Sequence, residues 1–282
     1  MSRIAIIGIV GQSVFLSVDS FHRGGETVVA KDLHVEWGGK GYNQAIAAAR
    51  HGAEVSFLAA VCETDAESVR ADAEARGIDA HLATGTEGSP YAVIMTDAEG
   101  ANHVTVFRGA SLTPRDVADF RDEIARADLL LLTNEVPEKV NESAIRIAQE
   151  HGVRVVLNPA PARPLSAEIL SGVSLFTPNE HETAGLEELS CVVVTLGDRG
   201  CLVRESGRQI PAVKAGATVD TTGAGDSFMG GFLYNLIKDK KHPSELTLED
   251  IEKYGNFAGK VAAYCVGKRG AIDAMPALDE IK

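Results

Sequence analysis

The sequence predicts an α/β fold with a mostly parallel central sheet and a small β-sheet lid, on three observations. Four short apolar runs, Ile4 to Gly8, Leu129 to Leu132, Val153 to Leu157 and Val192 to Leu196, are continuous rather than alternating. That is the pattern of strands covered by helices on both faces. Helical patterns with readable ends lie between these runs, and alternating strands and helices give a parallel sheet with right-handed crossovers. Two further segments alternate polar and apolar residues, as strands with one wet face do.

The helices are justified in order. Gln44 to Arg50 follows a glycine-rich turn. Thr64 and Glu67 stand at capping-box spacing, with Gly77 as the stop. Thr113-Pro114 offers an N-cap followed by proline at the first helical position. A helix from Pro137 to Gln149 should close at Gly152, and Met229 to Ile237 reads as an apolar helix. In the lid, Glu26 to Glu36 has strand character, and Tyr91 to Thr96 with His103 to Phe107 reads as a hairpin. The expected organisation is a single domain over 1–282, with lid segments at about 12–37 and 89–110.

Composition narrows the function. With 45% hydrophobic and 24% charged residues, the chain can bury a core without metals or disulfides. The net charge is −13 and the basic residues are scattered, which speaks against nucleic acid and anionic membranes as partners. A phosphate ligand would then need local devices, such as backbone N–H groups, a helix terminus or Mg²⁺. Cys62, Cys191, Cys201 and Cys265 form no C-x-x-C pair and no signal sequence opens the chain, so a cytoplasmic protein with reduced thiols is expected.

The strongest chemical motif is Val219 to Phe228, VDTTGAGDSF, running into the apolar helix. Gly223 and Gly225 let the backbone approach a ligand while the new helix points its positive end at the same place, which makes an anion hole. Asp226 falls in the first helical turn, where a carboxylate can stay ionised and accept a proton from a hydroxyl. A cap and a tight turn would leave the same local pattern. The second motif, Trp37 to Asn43 (WGGKGYN), is a polar cradle before a helix, although a plain turn would look similar. Polar residues follow three apolar runs, at Thr133 to Glu135, Asn158 to Pro161 and Thr177 to Glu182, where ligands of open α/β sheets bind. The Walker A pattern fails around Lys40, Gly8 to Gly11 is not a dinucleotide fingerprint, and no zinc spacing appears.

Taken in order, GGKGYNQA at 38–45, NPAPA at 158–162, TPNEHE at 177–182, VTLGDRG at 194–200 and DTTGAGDSF at 220–228 resemble the ribokinase family of sugar kinases, the phosphofructokinase-B type. The resemblance covers nearly the whole chain. It implies a ribokinase-like three-layer α/β/α fold and an ATP-dependent carbohydrate kinase acting on a primary hydroxyl of a ribose-like furanose. A nucleoside kinase or a 2-keto-3-deoxygluconate kinase is the alternative within the fold, and a non-catalytic sugar-binding regulator the alternative outside it.

The roles implied by the resemblance can be placed residue by residue. Asp226 would be the general base, with the backbone of Gly223, Ala224 and Gly225 stabilising the transferring phosphoryl group. Gly39, Lys40, Asn43, Glu135 and Ser13 would contact the sugar. Asn179, Thr195, Gly197 and Asn256 would contact ATP, with Glu182 organising Mg²⁺ through water. Asp220, Thr222, Cys265, Lys268 and Gly270 would hold a monovalent cation, K⁺, mostly through carbonyls; Ala274 stands where ribokinases can offer a serine. The partners implied are a small sugar and ATP, and a homodimer through the lid is expected.

Two departures stand out. Gly11-Gln12-Ser13 replaces the family's Asn-x-Asp pair that grips sugar hydroxyls, which puts ribose in doubt and suggests room beside Ser13. About a dozen residues separate Glu182 from Thr195, too few for the usual helix, so exposed sheet is expected there.

Overall fold

The computed structural model describes residues 2–214, 216–242 and 245–281. Its central sheet is built from β1 (Arg3–Ile7), β4 (Glu54–Cys62), β5 (Ile78–Gly85), β8 (Leu129–Thr133), β9 (Arg154–Asn158) and β10 (Leu175–Phe176). These six pair in parallel in the order β10-β9-β8-β1-β4-β5.

Side chains of one strand point alternately to opposite faces, so a continuous apolar run feeds two cores. Ile4 and Ile6 enter one buried cluster, and Ala5 and Ile7 the other; Leu129 and Leu131 part from Leu130 and Leu132 in the same way. Four helices, α1 (Lys40–Arg50), α2 (Ala66–Ala75), α7 (Ala224–Lys238) and α8 (Leu248–Cys265), cover the first face. The second is covered by α3 (Pro114–Asp119), α4 (Arg121–Arg126), α5 (Glu138–Glu150) and α6 (Ala167–Gly172). This is the three-layer arrangement that the apolar runs implied.

The lid is a four-stranded sheet of β2 (Gly11–Ser17), β3 (Asp32–Gly38), β6 (Tyr91–Thr96) and β7 (Asn102–Phe107), ordered β3-β2-β6-β7. A third sheet, β11 (Val193–Thr195), β12 (Cys201–Val203) and β13 (Arg208–Ile210), is antiparallel.

Several sequence expectations need correction. Thr64 does not cap α2 (Ala66–Ala75): Asp65 is its N-cap, and the Thr64 hydroxyl donates to Cys62 Sγ at 3.3 Å instead. The lid strand occupies Asp32–Gly38, while residues 26–31 carry no strand, because pairing with β2 runs only from Ser17↔Asp32 to Gly11↔Gly38. The run at Val192 to Leu196 belongs to the antiparallel sheet, and single parallel bridges, Phe176↔Val192 and Asn179↔Thr195, tie it to the main one. Residues 182–192 form turns without a helix, yet the strand beside them is not exposed. Leu186 folds back over it, and Val192, Val193 and Val194 are all buried. β4 and β5 were not singled out from the sequence, since their runs mix alanine and polar residues.

Other local signals hold. The Asp116 carboxylate reaches back to the Thr113 N–H at 2.7 Å, closing the cap of α3. The helix α5 starts after Pro137, and Gly152 takes a positive φ of 68° beyond its end.

Candidate active site

The site gathers at the carboxyl ends of β1, β8 and β9, where the first turns of α1 and α7 meet. Glycine makes that meeting possible. A Cβ on Gly41 would lie 2.6 Å from the Gly8 Cα, and one on Gly39, at φ 115°, would lie 2.7 Å from the Ile9 carbonyl oxygen. The glycine cradle therefore brings α1 down onto the end of β1. Lys40 to Asn43 are already helical, so the predicted helix begins four residues earlier than Gln44.

Asp226, in the first turn of α7, is 8% exposed. Its Oδ2 accepts from Asn43 Nδ2 and its Oδ1 from Gln44 Nε2, each at 2.9 Å. Burial pushes its pKa above the usual carboxylate value, while the charge of Lys40 and the two amide donors oppose that rise. The expectation of an ordinarily ionised carboxylate needs that amendment: water is mostly excluded, and α1 supplies the solvation.

Gln44 also donates to Asn158 Oδ1 at 3.3 Å, and Asn158 Nδ2 donates to the Thr177 carbonyl at 2.6 Å, so the end of β9 joins the same network. Gln44 was not among the residues expected here. Its signal lay inside GGKGYNQA, one position past the cradle, where the helical turn puts it beside Asn43 on the face toward α7.

The N-cap of α7 is Gly223, at φ 76°, and a Cβ there would meet Ala271 Cα at 2.9 Å. A Cβ on Gly225 would meet nothing within 4 Å, so this turn opens to space in front of Asp226. The Ala224 N–H is not free for a ligand, because it donates to the Thr221 carbonyl at 3.2 Å.

Glu135 carries both a packing and an electrostatic role. Its two oxygens accept from the Lys40 and Gly41 N–H groups, each at 3.0 Å, so it caps α1. Burial pushes its pKa up to about 7 despite those donors and Lys40. For Lys40, burial acts to lower the pKa, but Asp226, Glu135 and Glu182 outweigh it and the net shift is upward. Lys40 is thus a charged hub between the cradle and the 177–182 turn. In that turn Glu182 accepts from the Asn179 N–H at 2.9 Å, and Asn179 Oδ1 accepts from the His181 N–H at 2.8 Å.

Ser13 lies on β2 next to Gly38, where an added Cβ would sit 2.5 Å from the Ser13 hydroxyl and 3.8 Å from Asn43 Oδ1. The room expected at Gly11 does not exist: a Cβ there would be 2.0 Å from the Pro90 carbonyl oxygen, because β2 and the strand entering β6 approach each other closely. Opposite Ser13 in the β2–β3 register stands Glu36, whose side chain is only 7% exposed. Its Oε1 accepts from the Ala271 N–H at 3.0 Å, linking the lid to the loop that packs on Gly223. Glu36 was also missed, since its place depends on the β2–β3 register and on the approach of the loop at Ala271.

Asp220 ties two loops together: Oδ1 accepts from the Thr222 N–H at 2.9 Å and its hydroxyl at 2.7 Å, and Oδ2 from the Gly270 N–H at 3.1 Å. Cys265 Sγ approaches the Thr222 carbonyl at 3.7 Å. The Lys268 side chain turns outward to the Tyr264 hydroxyl at 3.0 Å. A carboxylate that fixes two turns of carbonyls fits a large monovalent cation, with Lys268 able to contribute only its backbone. Thr195 N–H and hydroxyl both point to the Pro178 carbonyl, at 2.9 and 3.4 Å, and Gly197 opens the following turn at φ 59°. Asn256 lies on the exposed side of α8, its amide donating to the Glu252 carbonyl at 2.8 Å.

The description "pfkB family carbohydrate kinase" matches residues 1–278. The chain belongs to that family. The ribokinase of Staphylococcus aureus is 34% identical over 309 aligned positions, covering 99% of this chain and 98% of its own. That of Haemophilus influenzae is 33% identical, covering 98% and 96%. The alignments run longer than the 282 residues of this kinase, so it carries gaps relative to those relatives. Among solved structures, Giardia lamblia ribokinase superposes with a TM-score of 0.88 at 26% identity, covering 99% of this chain and 97% of that one. Arabidopsis thaliana ribokinase, complexed with ribose and ATP, gives 0.82 at 25%, covering 100% and 98%. Family membership makes this chain a sugar kinase with a ribokinase-type fold.

Proposed function

We propose that this kinase transfers the γ-phosphoryl group of ATP to a primary hydroxyl of a furanose sugar, with Asp226 as the general base. One observation carries the reading: a buried carboxylate, held on both oxygens by amides of α1, faces the open first turn of α7 at Gly225. A substrate hydroxyl entering there can give its proton to Asp226 while first-turn N–H groups meet the developing charge. Relatives named ribokinase, and a neighbour solved with ribose and ATP, support the sugar and nucleotide classes.

Phosphoryl transfer is chiefly positioning and charge stabilisation. Asn43, Glu135, Lys40, Gly39 and Ser13 orient the sugar end. Lys40 reaches the charge of Asp226 and Glu182 together, so it also steadies the nucleotide phosphates. Asn179, Thr195, Gly197 and Asn256 line the nucleotide side. Glu182 keeps one oxygen clear of the Asn179 N–H, and a carboxylate of that kind fits water-mediated Mg²⁺; when bound, the ion would neutralise phosphate charge. K⁺ in the Asp220, Thr222, Cys265, Lys268 and Gly270 loops would fix the shape of the turn at Gly223.

The lid exposes Leu33, Val35, Tyr91 and Phe107, which share one face by register. An apolar sheet face of this kind calls for a cover, and a second copy of the chain supplies one as a homodimer. Equilibrium sedimentation of the wild type and Val35→Lys tests it; a monomeric wild type rejects it. The enzymatic reading is tested by ADP release across a panel of sugars and nucleosides, and no release from any of them rejects it.

A further inference from the structure

The lid strand β3 and the loop that follows α8 bring together a cluster that the catalytic roles assigned above do not use. Ligand atoms of His34, Glu36 and Asp273 all lie within 4.8 Å of one another. His34 and Glu36 stand two residues apart on β3, so they share one face of the lid. Asp273 comes from the loop whose Ala271 packs on Gly223.

Three features set the cluster apart from a patch of surface acid. Glu36 is its buried member: the side chain is 7% exposed, Oε1 accepts from the Ala271 N–H at 3.0 Å, and Oε2 meets only His34 Nε2, at 3.2 Å. Among the described residues no lysine or arginine pairs with this carboxylate, although a buried carboxylate needs a positive partner. Asp273 makes no hydrogen bond or ion pair among the described residues. Gly270, at φ 84°, keeps the approach open, since a Cβ there would stand 3.5 Å from Glu36 Oε2 and 3.8 Å from His34 Nε2.

The basic groups nearby are committed elsewhere. Arg269 pairs with Asp32 and Arg76 with Asp72, each at 2.9 Å. Arg50, which feels the charge of Asp273, donates to the Ile272 carbonyl at 3.0 Å and to the Met275 carbonyl. The loops assigned to K⁺ are distinct from the cluster: Asp220 takes the Gly270 N–H, and Glu36 takes the next N–H along the chain from the lid.

We propose that His34, Glu36 and Asp273 bind a divalent transition-metal ion of the Zn²⁺ class, which pins β3 of the lid to the loop behind the Gly223 turn. One imidazole nitrogen with two carboxylate oxygens suits Zn²⁺, whereas Mg²⁺ and Ca²⁺ prefer oxygen alone. Tetrahedral Zn²⁺ with bonds of about 2.0 to 2.2 Å holds its ligand atoms about 3.4 Å apart. The exposed side chains of His34 and Asp273 therefore close in on the buried Glu36, with water at the fourth position. The Ala271 N–H keeps Glu36 oriented, as hydrogen bonds to ligating carboxylates do. A second group, Asp79, His81 and Glu123, offers the same ligand types, but Arg126 and the Ser56 hydroxyl already occupy Glu123.

Equilibrium dialysis against Zn²⁺ in excess Mg²⁺, with no sugar or nucleotide present, tests the site independently of the kinase reading. Wild type and His81→Ala are expected to bind one Zn²⁺ with the same affinity, and His34→Ala and Asp273→Ala to bind it at least about tenfold more weakly. His34 and Asp273 are exposed, so both replacements are expected to fold; matching circular dichroism spectra verify that. Hydrogen exchange of the β3 amides is expected to slow when zinc is added to wild type and to stay unchanged in His34→Ala. No zinc bound by wild type, an affinity unmoved in either His34→Ala or Asp273→Ala, or a loss in His81→Ala overturns the site. Zinc bound without slower exchange in β3 overturns the pinning of the lid.

Discussion

Gln44 Nε2 donates to Asp226 Oδ1 at 2.9 Å across 182 residues of sequence, and the same amide reaches Asn158. One side chain of α1 thus joins the carboxylate at the head of α7 to the end of β9. A donor to a charged carboxylate lowers its pKa, so removing it should raise the pKa. In Gln44→Ala the acidic limb of the kcat/KM profile should move to higher pH by about one unit, the scale of a hydrogen bond to a charged group. An unmoved limb with normal folding would detach Gln44 from the base.

The pair Gly11 and Ser13 gives a prediction that departs from what the sequence suggested. Gly11→Asn drives a side chain into the Pro90 carbonyl, and overpacking of this kind costs about 1 to 3 kcal/mol. Thermal melting should show Gly11→Asn clearly less stable than the wild type. Ser13→Asp alone should keep stability and raise kcat/KM for D-ribose, because a carboxylate makes charge-assisted bonds to sugar hydroxyls. Equal melting temperatures for Gly11→Asn and wild type would contradict the close approach.

Much of the fold was legible because parallel strands covered on both faces must be apolar throughout, as Ile4 to Ile7 and Leu129 to Leu132 are. β4 was harder to read, since Ala59 and Ala60 bury well without announcing a strand. Within the site, Asp226, Asn43 and Glu135 were marked by motif. Gln44 and Glu36 were not, because their roles depend on a helix phase and a strand register that bring distant segments together. Glu135 reads as a sugar ligand in the sequence, but its structural duty of capping α1 depends on Gly8 and Gly41 touching.

Glu135 also links pH to stability. Its folded pKa of about 7 lies above the ordinary 4.5, so the folded state holds the proton longer than the unfolded chain. Its stabilising contribution is full below about pH 4.5, declines up to about pH 7, and is flat beyond. Urea unfolding of the free protein should show a larger stability loss between about pH 5 and pH 8 for wild type than for Glu135→Gln. Equal losses would show that Glu135 titrates normally.

The cation loops predict activation by K⁺. Asp220 holds Thr222 and Gly270 together beside Gly223, so an ion there shapes the turn without touching the sugar. Turnover should be higher in K⁺ than in a bulky organic cation at matched ionic strength. The difference should shrink in Asp220→Ala, and identical wild-type rates in both salts would remove the site.

The central claim rests on Asp226 as base, and the turnover number of Asp226→Asn tests it most directly. Asparagine keeps the size and helix position but cannot take the proton. With ATP, Mg²⁺ and the preferred acceptor, kcat should fall roughly 10²- to 10⁴-fold while nucleotide binding and melting temperature stay close to wild type. A variant that kept more than about a tenth of wild-type turnover would contradict the account, because loss of a general base cannot leave that much.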